Sequence, residues 1–504
     1  MTDPNGVRLG RTVRGTERIE TDVVIVGSGA GGATAAYELA SAGHGVVVLE
    51  AGPYVKPEEF TQREIDTMKR IYVDQGGQGP ADGSIAILQG RVVGGSTVIN
   101  GEVCFRIPDF VLEEWAKEYG VRGLSPAEMR GAFEDVERGI HATTNEGSFL
   151  TSGQRLEGGM RKLGIVPKPL VRNVKGCRGC AYCFIGCAYG CKQSMDQSYL
   201  PMAMAKGATV ISDARVERID FDASSDGKRR ARGVVARTPE GTLEVRARTV
   251  ILACGSIETP LMLLDHELGG PDVGKHLALH PVVIGSGWFD DEELAYRSNM
   301  LATYTDVWIK DGILIETATA SPPFLATGLS GFGREHKEMA RDLRRASSGG
   351  AVVRDDGSLG RVRRGRGGDK IVDWKLDART IAKVRSAMKH LAEIAFAAGA
   401  RKVTFQTTIP SVIGGVDELA KIDAMPCGPA DITFLSYHPQ GTARLGVVTD
   451  MEGAVKGVRD LYVMDASLFP TPVGVNTQVP VMGVVTVLAR RLALRLRSGA
   501  ASAT

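Results

Sequence analysis

The chain has no run of about eighteen apolar residues, the minimum for a helix that spans a bilayer. Its most apolar stretch, 479–496, is broken by Arg490, Arg491 and Arg495 and reads as a half-buried helix. The opening stretch MTDPNGVRLGRTVRGTER carries no apolar core of the kind a secretory signal needs. Neither sign of charge prevails: 61 Lys and Arg face 59 Asp and Glu, for a net charge of +2. No global field therefore draws the protein to nucleic acid or to an anionic membrane. A local basic tract, 361–366, is flanked by glycine and reads as a solvated loop or hairpin. Aromatics are sparse, at 6% of the chain. Together these scarcities predict a soluble, cytoplasmic protein with no membrane span and no nucleic-acid partner.

What is abundant is glycine, 63 of 504 residues, and its placement organises the chain. Residues 22–52 begin with an apolar run, 23–26, suited to a fully buried parallel strand. Gly27, Gly29 and Gly32 follow at G-x-G-x-x-G spacing. There the missing β-carbons allow a sharp turn, a close approach to a pyrophosphate and tight packing on the next element. A helix over 30–42 would aim its free N–H groups and positive dipole end at that phosphate. A second apolar strand, 46–49, ends in Glu50, placed to accept from the hydroxyls of an adenosine ribose. Strand, turn, helix and acidic residue together predict dinucleotide binding, which NAD and FAD satisfy equally at this point.

Farther on, Gly94, Gly95, Ser96 and Thr97 make a turn of little bulk, suited to lying against a flat ring or a phosphate. Five of the eight cysteines then crowd into residues 177–191. Cys177, Cys180, Cys183 and Cys187 have C-x2-C-x2-C-x3-C spacing, with Cys191 four residues on. Such steps let thiolates converge on an iron–sulfur (4Fe-4S) cube; structural thiols and zinc are the other readings. Strands follow at 209–211 and 216–221, with a hairpin through Asp226 and Gly227, and a buried strand at 250–255 opens a helix at 257–264. From 281 to 426 short alternating runs suit an antiparallel sheet with one face free for a substrate. Phe289, Trp288, Phe324, Phe332 and Phe405 could line its pocket.

The last quarter carries the chemistry. An apolar strand, 434–437, delivers His438, an imidazole that titrates near neutrality and can take a hydroxyl proton. His280 reads as structural. A strand at 461–464 ends in Asp465, where parallel sheets present ligand groups, which places it at the ribityl or pyrophosphate region of a flavin cofactor; turn capping is its plainer role. Pro480 is expected to begin a long helix, as proline does at the first helical position, and the N-terminal N–H groups near Thr477, Gln478 and Val479 would stabilise negative charge on a reduced ring.

GSGAGG, the GRVVGGSTVIN of residues 90–100, and HPQGTARLG with LYVMDASLFPTPVGVN resemble, in order and over nearly the whole chain, the GMC (glucose-methanol-choline) oxidoreductase family. The cysteine segment resembles its branch of long-chain alcohol oxidases. The resemblance implies an α/β fold in which a Rossmann-like FAD-binding domain is built from discontinuous segments and an antiparallel-sheet substrate domain is inserted. The expected boundaries are 18–105, 195–285 and 427–504 for the FAD-binding domain, 106–194 for a helical, Cys-rich insert, and 286–426 for the substrate domain. It implies FAD as cofactor, with Asn100 in the flavin loop, a contact to adenine near Val216, and Asn476 as the partner of His438. Ile99 stands where members with covalent FAD have histidine, so FAD is expected to be non-covalent. The expected reaction is His438-assisted loss of a hydroxyl proton with hydride transfer to flavin N5, yielding an aldehyde or ketone. The sparse aromatics and apolar inserted runs favour a hydrophobic alcohol. An iron–sulfur cluster would pass electrons to a quinone or redox protein. An oxidase using O2 without a cluster, a non-catalytic redox-sensing flavoprotein and an NAD-linked dehydrogenase are the rival readings.

Overall fold

A computed structural model describes the chain except residues 1–2, 4–5, 145–150, 224–227, 409–410, 430, 433 and 499–504; the expected turn at Asp226 and Gly227 lies outside the described residues. Two nine-stranded sheets organise it. In the first, Thr209–Ser212, Val46–Leu49, Gly15–Val26, Gly241–Leu252 and Leu461–Val463 run parallel. Residues 23–26 and 250–252 are flanked by strands on both sides, which is why they read as unbroken apolar runs. The first half of Gly15–Val26 alternates instead, because its outward residues meet solvent. Arg229–Arg237 and Arg215–Ala223 extend this sheet antiparallel.

Helix Ala30–Ser41 packs on this sheet beside the long C-terminal helix Gln478–Ser498. The latter begins two residues before Pro480, so proline occupies its first turn, where its missing N–H costs no helical bond.

The second sheet is antiparallel, in the order Lys402–Phe405, Val282–Trp288, Ala346–Val353, Ile313–Ala318 and Leu301–Thr305. Alternation assigns its faces. Val283, Ile313, Ile315, Ala351 and Val353 pack on helices Thr151–Lys162 and Ala378–Ala397 through Leu156, Met160, Met388 and Leu391. Ile284, Ser286, Glu316, Ala318, Ser348 and Gly350 face the other way, onto a cavity. Phe434–Ser436, the strand that carries the chain to His438, joins this sheet beside Val282 and pairs in parallel with Ile85–Ile87. The basic tract forms an antiparallel hairpin, Gly360–Arg364 with Lys370–Asp373. Among the described residues no helix is long and apolar enough to cross a membrane.

Candidate functional site

One cavity of about 1110 Å³ runs from the glycine turn of the first sheet to the inner face of the second. At its first end Gly27 turns with φ near 100°, and a Cβ there would stand 2.4 Å from the Ala253 carbonyl oxygen. Gly32 lies beneath the turn, where a Cβ would come within 1.9 Å of the Gly27 oxygen. Gly29 caps the helix and lines the cavity, whereas Gly32 does not reach it. This glycine cradle, with backbone N–H groups at a helix start, fits a dinucleotide phosphate. Glu50 lines the same end and accepts from Ser28 N at 3.1 Å, Ser28 Oγ at 2.6 Å and Gly52 N at 2.8 Å. Burial raises its pKa against those hydrogen bonds. Ser28 Oγ also accepts from Gly94 N at 3.0 Å, tying the first turn to the second. Sequence reading passed over Ser28, whose only signal was its place inside the glycine motif.

In the 94–100 turn, Gly95, Thr97 and Asn100 line the cavity, and Gly94 stands behind them in the left-handed region. Thr97 Oγ1 donates to Gly94 O at 2.6 Å and accepts from Met195 N at 3.0 Å. Asn100 donates to the Gln478 side chain, so this turn meets the start of the C-terminal helix. Val216 lines the phosphate end from its strand. Thr477 and Gln478 reach the cavity, while Val479 is buried behind them. Asp465 lines it too, but its oxygens accept from Gly255 N at 2.9 Å, Thr259 Oγ1 at 2.6 Å, Ser467 N at 2.8 Å and Ser467 Oγ. Its carboxylate is occupied in capping two helical turns.

At the opposite end His438 and Asn476 face the same space. His438 is buried, and burial pulls its pKa down to about 4. Its Nδ1 lies 3.1 Å from His280 Nδ1, a partner that sequence reading left as merely structural. Glu316 also lines this end, 5% exposed, with burial pushing its carboxyl up to about 8 against a hydrogen bond from Asn476. Neither Glu316 Oε1 nor Asn476 Oδ1 has a hydrogen-bond partner. Nothing in the local sequence marks Glu316, because only the sheet pairing brings it here. Of the five aromatics expected to line a pocket, Phe324 does so. Trp288, Phe289 and Phe405 are core residues of the second sheet, and Phe332 is 88% exposed.

The five crowded cysteines surround a second cavity, separate from the first but sharing Glu102 and Met300 with it. It measures about 10 Å³, room for roughly one water molecule and far short of an iron–sulfur cube. Among the described residues no group of three or more His, Cys, Asp or Glu is arranged to hold a metal ion. Arg172 donates to Cys177 Sγ at 3.8 Å, and Cys191 donates to Gly176 O at 3.0 Å. Burial raises the pKa of Cys180 and Cys183, and that of Cys191 to about 11. Thiols so held do not fit the expected cluster, and no chemistry is derived from one.

A parallel sheet with a phosphate-binding glycine turn, joined by one cavity to a polar pocket under an antiparallel sheet, fits a dinucleotide-dependent oxidoreductase. Residues 22–58 match the FAD binding domain profile, and residues 68–282 and 360–484 match the two GMC oxidoreductase profiles. An uncharacterized GMC-type oxidoreductase of Mycobacterium tuberculosis is 36% identical over 482 residues, covering 93% of this chain and 75% of its own. A long-chain-alcohol oxidase of Arabidopsis thaliana is 29% identical, over 96% of this chain and 69% of its own. The crystal structure of pyridoxine 4-oxidase from Mesorbium loti superposes with a TM-score of 0.69 at 17% identity, covering 94% of this chain and 99% of that one. The chain belongs to the GMC oxidoreductase family.

Proposed function

We propose that the protein oxidises a hydrophobic alcohol to an aldehyde or ketone, with the alcohol oxygen held between His438 and Asn476. The observation that carries this reading is the single cavity joining the glycine turn to those two side chains. FAD bound along it would supply the acceptor for the hydride that leaves the carbinol carbon. Gly27, Gly29, Glu50, Gly95, Thr97, Asn100 and Val216 would hold that cofactor without a covalent link, since Ile99 offers no nucleophile and is buried. Segments 18–105, 195–285 and 427–504 would form the FAD-binding unit and 286–426 the substrate unit, with 106–194 bracing them. Similarity to a long-chain-alcohol oxidase supports an aliphatic alcohol as substrate.

The test is anaerobic bleaching of the bound flavin by dodecan-1-ol, followed in a stopped-flow spectrometer. His438→Ala should retain FAD yet bleach at least about 10²-fold more slowly, the loss typical of an essential polar group at the reacting oxygen. An unchanged rate would remove His438 from the site. Peroxide formed in air marks an oxidase, and its absence marks a dehydrogenase that passes electrons to a quinone or redox protein.

A further inference from the structure

The hydrogen bonds around the paired histidines allow one placement of their hydrogens. Gly474 N lies 3.1 Å from His280 Nε2 and can only donate. The Gln440 side chain aims its amide nitrogen at the same atom, also at 3.1 Å. Its orientation is fixed from the other end, where Val473 N donates to Gln440 Oε1 at 3.1 Å. His280 Nε2 is therefore a bare acceptor. The ring is fully buried, and burial, then His438 and Arg354, pull its pKa well below the ordinary 6.5. Neutral, it carries its one hydrogen on Nδ1 and donates it to His438 Nδ1. His438 is neutral as well. With Nδ1 accepting, its own hydrogen sits on Nε2, the ring nitrogen left for the cavity.

A nitrogen that already carries a hydrogen cannot take one from the alcohol. The cavity offers another acceptor. Glu316 faces it from the middle of Ile313–Ala318, opposite Gly350, whose missing side chain leaves the carboxyl uncovered. Its Oε1 is buried and unpartnered, and Asn476 is its neighbour.

The geometry points to a division of labour: His280 is a positioning residue that holds His438 as the Nε2–H tautomer, His438 donates a hydrogen bond to the alcohol oxygen, and Glu316 accepts the hydroxyl proton. This rests on the proposed alcohol oxidation. In the step the O–H bond breaks and its proton passes to the Glu316 carboxylate. A bound flavin would accept the C–H electron pair as hydride, leaving the C–O bond a carbonyl. The titratable groups facing Glu316 are Tyr304, its partner on the neighbouring strand, and His438 across the cavity; Ala346–Val353 presents none. Among the described residues, burial and the Asn476 amide set its proton affinity, with no contribution from a charged side chain. A carboxyl raised to about 8 makes flavin reduction climb with pH up to that value and then level.

Two measurements on the holoenzyme test this. Long-range proton–nitrogen spectra of ¹⁵N-histidine-labelled protein, assigned with His438→Gln, should show His438 protonated at Nε2 and bare at Nδ1; His280→Phe should lose that single tautomer. Stopped-flow reduction by dodecan-1-ol should fall only about tenfold in His438→Gln, whose amide still donates, against at least about 10²-fold in His438→Ala. Glu316→Gln should be at least about 10²-fold slower and lose the limb near pH 8. A hydrogen found on His438 Nδ1, a His438→Gln rate as low as that of His438→Ala, or a limb surviving in Glu316→Gln would each overturn the assignment. If no alcohol bleaches the wild-type flavin, alcohol oxidation fails and the proton role of Glu316 with it, while the spectra still decide the tautomer.

Discussion

Glu102 lies where the two cavities meet, 2% exposed, ion-paired to the fully buried Arg172 and 4.0 Å from Lys192 Nζ. Lys192 in turn donates to the carbonyls of Val98 at 2.9 Å, Asn100 at 2.8 Å and Cys183 at 2.7 Å. Buried charge thus fastens the cysteine segment to the turn that lines the large cavity. Burial by itself would raise the Glu102 pKa, but Arg172 and then Lys192 outweigh it and hold the carboxyl below its ordinary 4.5. A carboxyl depressed in the folded state adds stability that is complete above the ordinary value and disappears as pH falls through the folded one. Glu102→Gln leaves two buried cations without their anion and should cost about 3–5 kcal/mol at pH 7. Guanidinium unfolding of the holoenzyme, read by tryptophan fluorescence, should show that loss at neutral pH and a smaller one near pH 3. Equal losses at both pH values would refute the charge argument.

Among the elements, the first strand–turn–helix unit was the most legible in the sequence, because its strand, turn and helix signals are adjacent along the chain. The strand over 46–49 and the helix from Ala30 were expected and are observed at Val46–Leu49 and Ala30–Ser41. Of the glycines there, Gly32 answers to the Gly27 oxygen within the same turn, while Gly27 meets Ala253 on the neighbouring strand. Gly32→Ala would force a Cβ against the Gly27 oxygen, opening the turn. The purified variant should carry less than about a tenth of the wild-type FAD, measured by flavin absorbance after gel filtration. Full occupancy would show that the turn can relax. The other end of the cavity was legible only in part. His438 and Asn476 stand in motifs, but His280, Gln440 and Glu316 acquire their roles from contacts 158 and 160 residues apart or across paired strands. The thiol spacing allows a cluster that nothing among the described residues supports. Short C-x2-C steps permit convergence, but they do not specify what each thiol meets, and Cys177 meets the side chains of Arg172 and Asn299.

At the scale of the whole molecule, the two sheets divide the cavity into chemically different ends. Beside the polar groups under the second sheet, one stretch of the wall is apolar. Tyr437, next to His438, stacks on Phe184 at 5.2 Å between ring centres, and Phe184 meets Phe324 at 5.1 Å. Beyond them Leu325, Leu329 and Leu343 close the space, backed by Trp288 and Met339. A polar head between His438 and Asn476 with an aliphatic tail along this wall suits the division. Each buried methylene is worth about 0.8 kcal/mol on transfer from water, so the KM for primary alcohols should fall roughly threefold to fourfold per carbon from butan-1-ol until the wall is filled. Leu329→Asp places a carboxylate in the apolar end. It should raise KM for dodecan-1-ol by at least about tenfold while leaving butan-1-ol, too short to reach it, within twofold. A KM independent of chain length, or an equal penalty for both alcohols, would mean that the tail does not lie along this wall.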